Sequence, residues 1–363
     1  MVQRYIFRLK QPSVPTFFCI FAGIMAKQRI EYIDAMRGFT MILVVYSHIC
    51  SLCLEDVWMG WNDVFFLFRL PCFFFISGWL FEHVGRQWNR VSIIHMIKHK
   101  FMVQIVPTVI FLLLLAPPPE FFSRLGATKG GYWFTFALFE FFLLTIFSES
   151  YLKKWSGVFA LFLSAAAFYY DIYYNRHFNS LGVLTDILGF LSFITWRYFL
   201  FFYVGTWVKR HFDGFVCWTS KMWVIIAFFI GFIVVAMLPH SDNAVSEYFL
   251  FAVGGILGMT MVFTFFRIFS RYLTKDRWLG RSLQYIGTRT LDIYLLHYFL
   301  LPKFLILYSN KLQTYDSSVL EFLVAMLLAL VVVGLCLFVS YVIRLSPFLG
   351  HYLFGVDYQA TKK

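Results

Sequence analysis

Long unbroken apolar runs, separated by short polar stretches rich in Lys and Arg, set the pattern of this chain. A hydrocarbon layer of about 30 Å takes about 20 apolar residues as a helix, whereas half-buried strands would alternate with a period of two. Ten runs meet the helical requirement: Ile33 to Leu54, Trp61 to Phe81, Phe101 to Ala116, Tyr132 to Phe147, Ser156 to Tyr170, Val183 to Val208, Trp223 to Leu238, Tyr248 to Phe269, Thr288 to Tyr308 and Val319 to Ile343. The pattern predicts an all-α fold, a polytopic transmembrane bundle of about ten spans, as one domain over residues 25–363. Residues 1–24 read differently. Pro15 to Ile24 is apolar but too short to span, and Met25 opens a compact polar start, Ala26-Lys27-Gln28-Arg29, directly before the first run. Residues 1–24 are therefore expected to be an upstream extension or an interfacial segment outside the fold.

Composition sharpens this reading. The chain is 60% hydrophobic and 14% charged, against about 45–50% and 25% for soluble domains, which leaves too few polar residues to cover a water-facing surface. Its six Cys lie scattered in apolar runs and make neither a disulfide framework nor a zinc site. The net charge of +12 is a matter of sidedness. With the N-terminus placed in the cytoplasm, 24 of the 31 Lys and Arg fall on the cytoplasmic side and five outside, with Arg69 and Arg197 left inside spans. That is the asymmetry of the positive-inside rule, with both termini cytoplasmic, and it removes any need for a nucleic-acid partner.

Charges inside spans are costly, at about 2.5–3.5 kcal/mol each on insertion scales, and commonly face an interior cavity. Arg69, Glu140, Arg197 and Asp292 stand at such positions, as do the titratable His48 and His297. Structural pairing inside the bundle accounts equally well for Glu140, Arg69 or Arg197 taken singly; for the set, a polar cavity is the expectation. Arg37 and His48 are eleven residues apart, which on a helix brings them back within about 20° of one another and about 16 Å apart along the axis. One face thus carries a cation at the cytoplasmic mouth and an acid–base group deeper in.

From these residues outward, the chain resembles acyltransferase family 3, integral membrane carbohydrate O-acetyltransferases that include fucose 4-O-acetyltransferase-like members. Asp34-Ala35-Met36-Arg37-Gly38 followed by Val44-Val45-Tyr46-Ser47-His48 matches its Arg, ten residues, His signature. Arg69-Leu70-Pro71-Cys72-Phe73-Phe74-Phe75-Ile76-Ser77-Gly78 is similar to its Pro-x-Phe-Phe-x-x-Ser-Gly helix. Tyr132-Trp133-Phe134, then Tyr198 to Gly205, then Gly287 to His297 follow in family order. The resemblance runs from about Arg29 to the end of the chain. It departs where many members carry an Arg-rich cytoplasmic run, since Lys98-His99-Lys100 stands there, and lysine lacks the planar fork that grips phosphate bidentately.

The resemblance implies acetyl-CoA or another acyl-CoA as donor substrate, no tightly bound cofactor and no metal. It implies a carbohydrate or glycolipid hydroxyl as acceptor, reached within the bilayer of a bacterial inner (plasma) membrane. Acyl transfer to a hydroxyl needs a base and a partner for the developing oxyanion. His48 is the candidate base, or a transiently acylated nucleophile. Arg37 would engage CoA phosphate or orient the thioester, with Lys98 and Lys100 adding donor contacts. Arg69 would hold the oxyanion, oriented by Glu140, and His297, Arg197 and Asp292 would shape the substrate path. Gly78 and Gly287 are expected to permit close helix approach. A transporter or flippase of a lipid-linked sugar would also suit charges near the midplane, and its signature would be uptake without label transfer. The charge split yields the first test. A reporter fused after Lys363 should sit in the cytoplasm, and an external location would overturn the ten-span, both-termini-inside assignment.

Overall fold

The computed structural model describes residues 30–54, 60–83, 88–116, 129–176, 183–238, 243–315 and 317–356. The expectation for residues 1–24 lies outside them. Sixteen helices follow one another: α1 (Glu31–Cys53), α2 (Gly60–Phe81), α3 (Arg90–Lys100), α4 (Val106–Leu115), α5 (Trp133–Phe147), α6 (Ser156–Arg176), α7 (Val183–Phe190) and α8 (Phe199–Arg210), then α9 (Phe212–Thr219), α10 (Met222–Met237), α11 (Ala244–Ile268), α12 (Trp278–Thr288), α13 (Thr290–Leu300), α14 (Ser309–Gln313), α15 (Ser318–Arg344) and α16 (Pro347–Phe354). The fold is the all-α polytopic bundle that the apolar runs predict. Local signals fix several starts. Glu31 and Asp34 place negative charge in the first turn of α1, where the helix dipole favours it. Asn89 and Ser92 form a reciprocal capping box on α3, and Ser317 caps α15.

Among the described residues, six helical runs are long and apolar enough to cross a membrane, or seven if the α9–α10 pair, bent by 82°, is one span. The run Val183 to Val208 is broken into α7, a short 3₁₀ segment Phe193–Tyr198 and α8, because Ser192 turns left-handed (φ 51°). Thr288 to Tyr308 is broken after Leu300 by Pro302, which has no N–H to continue the ladder. α3 and α4 join through a π-helical turn, Phe101–Ile105, into one run from Arg90 to Leu115. Outward faces stay apolar, as on α15, where Leu327 and Phe338 are 64% and 66% exposed. Such faces suit lipid rather than water.

Among the described residues, two buried apolar clusters fill the interior. One gathers α2, α5, α8 and α11 around Phe74, Phe141, Phe202 and Phe263. The other gathers α1, α13 and α15 around Tyr46, Ile293 and Val332, and α1 contributes to both. Two glycine–glycine crossings tie the helices together. A Cβ on Gly38 would lie 2.0 Å from the Leu283 carbonyl oxygen, and one on Gly287 would lie 1.9 Å from that of Asp34, so α1 and α12 touch backbone to backbone. Gly78 and Gly205 do the same for α2 and α8, against the Phe202 and Phe75 carbonyl oxygens. Gly78 and Gly287 therefore make the close approaches expected of them, and Gly205 and Gly38 are their partners. Without a hydrophobic force between helices in lipid, such close approach is a main source of packing energy. Gly38→Ala or Gly205→Ala should each destabilise the purified protein by about 1–3 kcal/mol in thermal unfolding in detergent, the usual cost of overpacking. Gly334→Ala, where an added Cβ meets nothing within 4 Å, should leave stability unchanged, and equal losses at all three sites would refute the crossing argument.

Candidate active site

α1 is continuous from Glu31 to Cys53, so Arg37 and His48 share one face as their spacing requires. His48 lies five residues before the end of α1, half-buried against α13. Its ring centroid is 5.0 Å from that of His297 and 5.1 Å from that of Tyr298, and the Tyr298 hydroxyl is 3.4 Å from His48 Nε2. His297 is fully buried, and its Nδ1 donates to the carbonyl oxygens of Ile293 and Tyr294 at 3.1 and 2.7 Å. That fixes its tautomer and leaves Nε2 a bare lone pair without a hydrogen-bond partner.

A short entry segment is locked onto the same helix. Lys129, Gly130 and Gly131 all have positive φ, 46°, 59° and 97°, and together form the turn that leads into α5. The Gly131 carbonyl oxygen accepts from the Tyr294 and Tyr298 hydroxyls at 3.3 and 3.2 Å, and the Tyr132 hydroxyl donates to the Leu295 carbonyl oxygen at 2.8 Å. A Cβ at Gly131 would meet the Tyr298 ring and hydroxyl at 2.8 Å, so glycine is required there for two reasons. Buried Lys129 caps the C-terminus of α7 by donating to the Gly189 and Phe190 carbonyl oxygens. Burial draws its ammonium below the ordinary lysine range, against the pull of the Glu140 carboxylate.

These elements enclose a cavity of about 500 Å³ whose lining includes His48, Arg69, Arg197, Trp133, Tyr198 and Gly131. Arg69, on α2, is 8% exposed, donates to Asn62 Oδ1 at 2.8 Å and lies over the Phe66 ring. Arg197 reaches the same space from the 3₁₀ segment before α8 and pairs with Asp171 of α6 at 2.6 Å. Three of the residues singled out from the sequence thus meet in one place.

Others are placed elsewhere. Glu140 does not orient Arg69; its carboxylate accepts from the Trp196 indole at 2.7 Å, and Asn62 takes the expected role. Asp292 is buried in an ion pair, accepting from Arg344 Nε and a terminal nitrogen at 2.8 Å each and from the Ser340 hydroxyl, which joins α13 to α15. His297 stands behind His48 rather than on the cavity wall, and Arg37 does not line the cavity either. Lys100 lines a second cavity, of about 660 Å³, at the far end of α2, together with His83, Trp88, His95 and His99, while Lys98 is exposed beside it. Asn62, Tyr298 and Asp171 were missed in the sequence. Asn62 was legible, because a spacing of seven puts it on the Arg69 face, whereas the Asp171 pairing spans two elements and leaves no periodic trace.

The sequence pattern of one family, described as an acyltransferase domain, matches residues 30–344. The chain belongs to acyltransferase family 3. Neither a curated protein nor a solved structure matches it. The match opens at the residue before α1 and closes at Arg344, so it spans both cavities and the Asp292 ion pair. In this membrane acyltransferase the pair has a structural assignment, and removing a buried partner leaves an uncompensated charge. Asp292→Ala should cost on the order of 3 kcal/mol in thermal unfolding while the protein that remains folded keeps its specific activity. Full stability with lost activity would return Asp292 to the substrate path.

Proposed function

We propose that this acyltransferase moves an acetyl group, or another short acyl group, from acyl-CoA to a hydroxyl of an envelope carbohydrate or glycolipid in the inner membrane. The observation that carries the reading is the meeting of His48 and Arg69 on one cavity wall within an acyltransferase-family bundle. In the proposed step the acceptor oxygen attacks the thioester carbonyl carbon as His48 takes its proton. The carbon–sulfur bond then breaks, and the proton passes from the imidazolium to the leaving thiolate. Arg69 faces the same space and meets the negative charge that develops on the carbonyl oxygen. Tyr298 and His297 hold the His48 ring, and the long 3.4 Å contact leaves it able to turn toward a substrate.

The second cavity supports the donor side of the reading. It has Trp88 and three imidazoles for a base and Lys100 for phosphate, and α2 carries its wall about 18 Å from Arg69 to Phe81. A nucleotide held there and a thioester delivered to His48 call for a slender, extended linker, which the pantetheine arm of CoA provides. The lysines supply point charge rather than a bidentate grip.

The test is the specific activity of well-folded His48→Gln in detergent, with radiolabelled acetyl-CoA and a surface-glycan extract. Glutamine keeps the size and one hydrogen bond but cannot take the proton, so transfer should fall on the order of 10²-fold or more. Only neutral imidazole accepts a proton, so wild-type activity should also fall as the pH is lowered. A near-wild-type rate for His48→Gln would remove His48 from the mechanism.

A further inference from the structure

The charge balance of the His48 cavity points to a class of acceptor, an inference that rests on the proposed transfer reaction. Among the described residues lining the cavity there are two guanidiniums, one imidazole and no carboxylate. Arg197 is neutralised from behind by Asp171. Arg69 is not. Its hydrogen bond goes to the neutral amide of Asn62 and its face to the Phe66 ring; no carboxylate of the described residues stands within ion-pair distance, and the solvent-exposed Asp63 acts on it only from farther away. The residue is 8% exposed. Arginine cannot shed its proton to escape burial, as lysine or histidine can, so a buried guanidinium whose nearest carboxylate is a distant, solvent-screened one keeps most of its desolvation cost. The oxyanion of the transfer step exists only in the transition state and leaves the ground state uncompensated. Of the five N–H donors on the fork, one serves Asn62, and the planar geometry suits two parallel bonds to an oxyanionic group.

We propose that the acceptor is an acidic sugar unit, carrying a carboxylate or a phosphate, and that Arg69 is the residue that selects it. The remaining wall fits a sugar ring. Trp133 and Tyr198 are stacked at 6.1 Å and 20°, Tyr198 stacks in turn on Phe74 at 5.3 Å, and Trp133 and Tyr198 both line the cavity. The apolar face of a pyranose covers such a surface, and the anionic substituent reaches the guanidinium beyond its edge. Asn62 is what keeps the site open, because an acid in its place would supply the missing charge from within.

The test uses that last point. Binding of methyl glucuronide, methyl glucoside and glucose 1-phosphate to the purified full chain is measured without any donor. The glucuronide should bind about tenfold or more tighter than the glucoside, the usual worth of a hydrogen bond to a charged group. The phosphate arm tells a carboxylate site from a phosphate site. Asn62→Asp keeps the size and fold, pairs internally with Arg69, and should abolish the preference while leaving thermal stability unchanged or raised. Arg69→Gln should abolish it too. Equal affinity for the acidic and neutral sugars, no binding of either acidic probe, or a preference that survives in Asn62→Asp would overturn the proposal. Label transfer from acetyl-CoA is scored separately. Transfer to neutral acceptors without acid preference would sink the anion site alone, and acid preference without transfer would sink the reaction alone.

Discussion

The fold depends on two points at which helix backbones touch. Gly38 against Gly287 and Gly78 against Gly205 bring α1 to α12 and α2 to α8 at distances that no side chain permits. Each of the four glycines belongs to a stretch that resembles the family, so part of what those stretches share is packing rather than chemistry. The crossings also set the height of the reactive groups. Gly38 to His48 is ten residues, about 15 Å along α1, and Gly78 to Arg69 is nine, about 14 Å along α2. Each helix, pinned by its own crossing, carries its reactive group a similar distance beyond the pin, and both groups line one cavity. The glycines contribute no atom to the site, yet they fix its register.

Polar groups in the interior then divide by the quality of their partners. Those that hold the structure have short, well-made bonds: Asp292 with Arg344, Arg197 with Asp171, Tyr132 with the Leu295 carbonyl, His297 with two carbonyls of its own helix. His48 has only a 3.4 Å contact with Tyr298, and Arg69 a single amide. A satisfied buried group is held in place by the cost of breaking its bonds, whereas a group with a long or neutral partner keeps capacity for a ligand. This separates residues that a membrane position alone cannot tell apart.

The limit on the sequence reading follows from the same point. The apolar runs predicted an all-α bundle, because length and composition are local properties, but not α12, which lies in none of them, nor the start of the Arg90–Leu115 run. They could not show that Val183 to Val208 turns at Ser192 or that α9 and α10 meet at 82°, since such breaks depend on what packs against the chain. Intramembrane charges were found because their cost is written in the residue type. Their purpose was not, because the partner decides it. Asp292 finds Arg344 fifty-two residues on, and Glu140 finds an indole fifty-six residues on, separations to which no periodic pattern reaches. Only the shared face of Arg37 and His48 could be read ahead, since they lie on one helix and its pitch fixes their relation.

The two cavities impose a last constraint on the proposed reaction. Between them α2 is packed on all sides, with Phe74, Phe75 and Trp79 each no more than 2% exposed. A phosphorylated nucleotide would have to shed its hydration to pass that aromatic layer, at a cost that no pair of lysines at the entrance offsets. A thin and nearly uncharged linker carrying a thioester avoids that desolvation cost and needs only side-chain movement to pass. The proposed division of labour therefore follows from dielectric more than from shape. In that proposal the charged end of the donor stays in the basic cavity and only its linker, with the thioester at its tip, reaches His48.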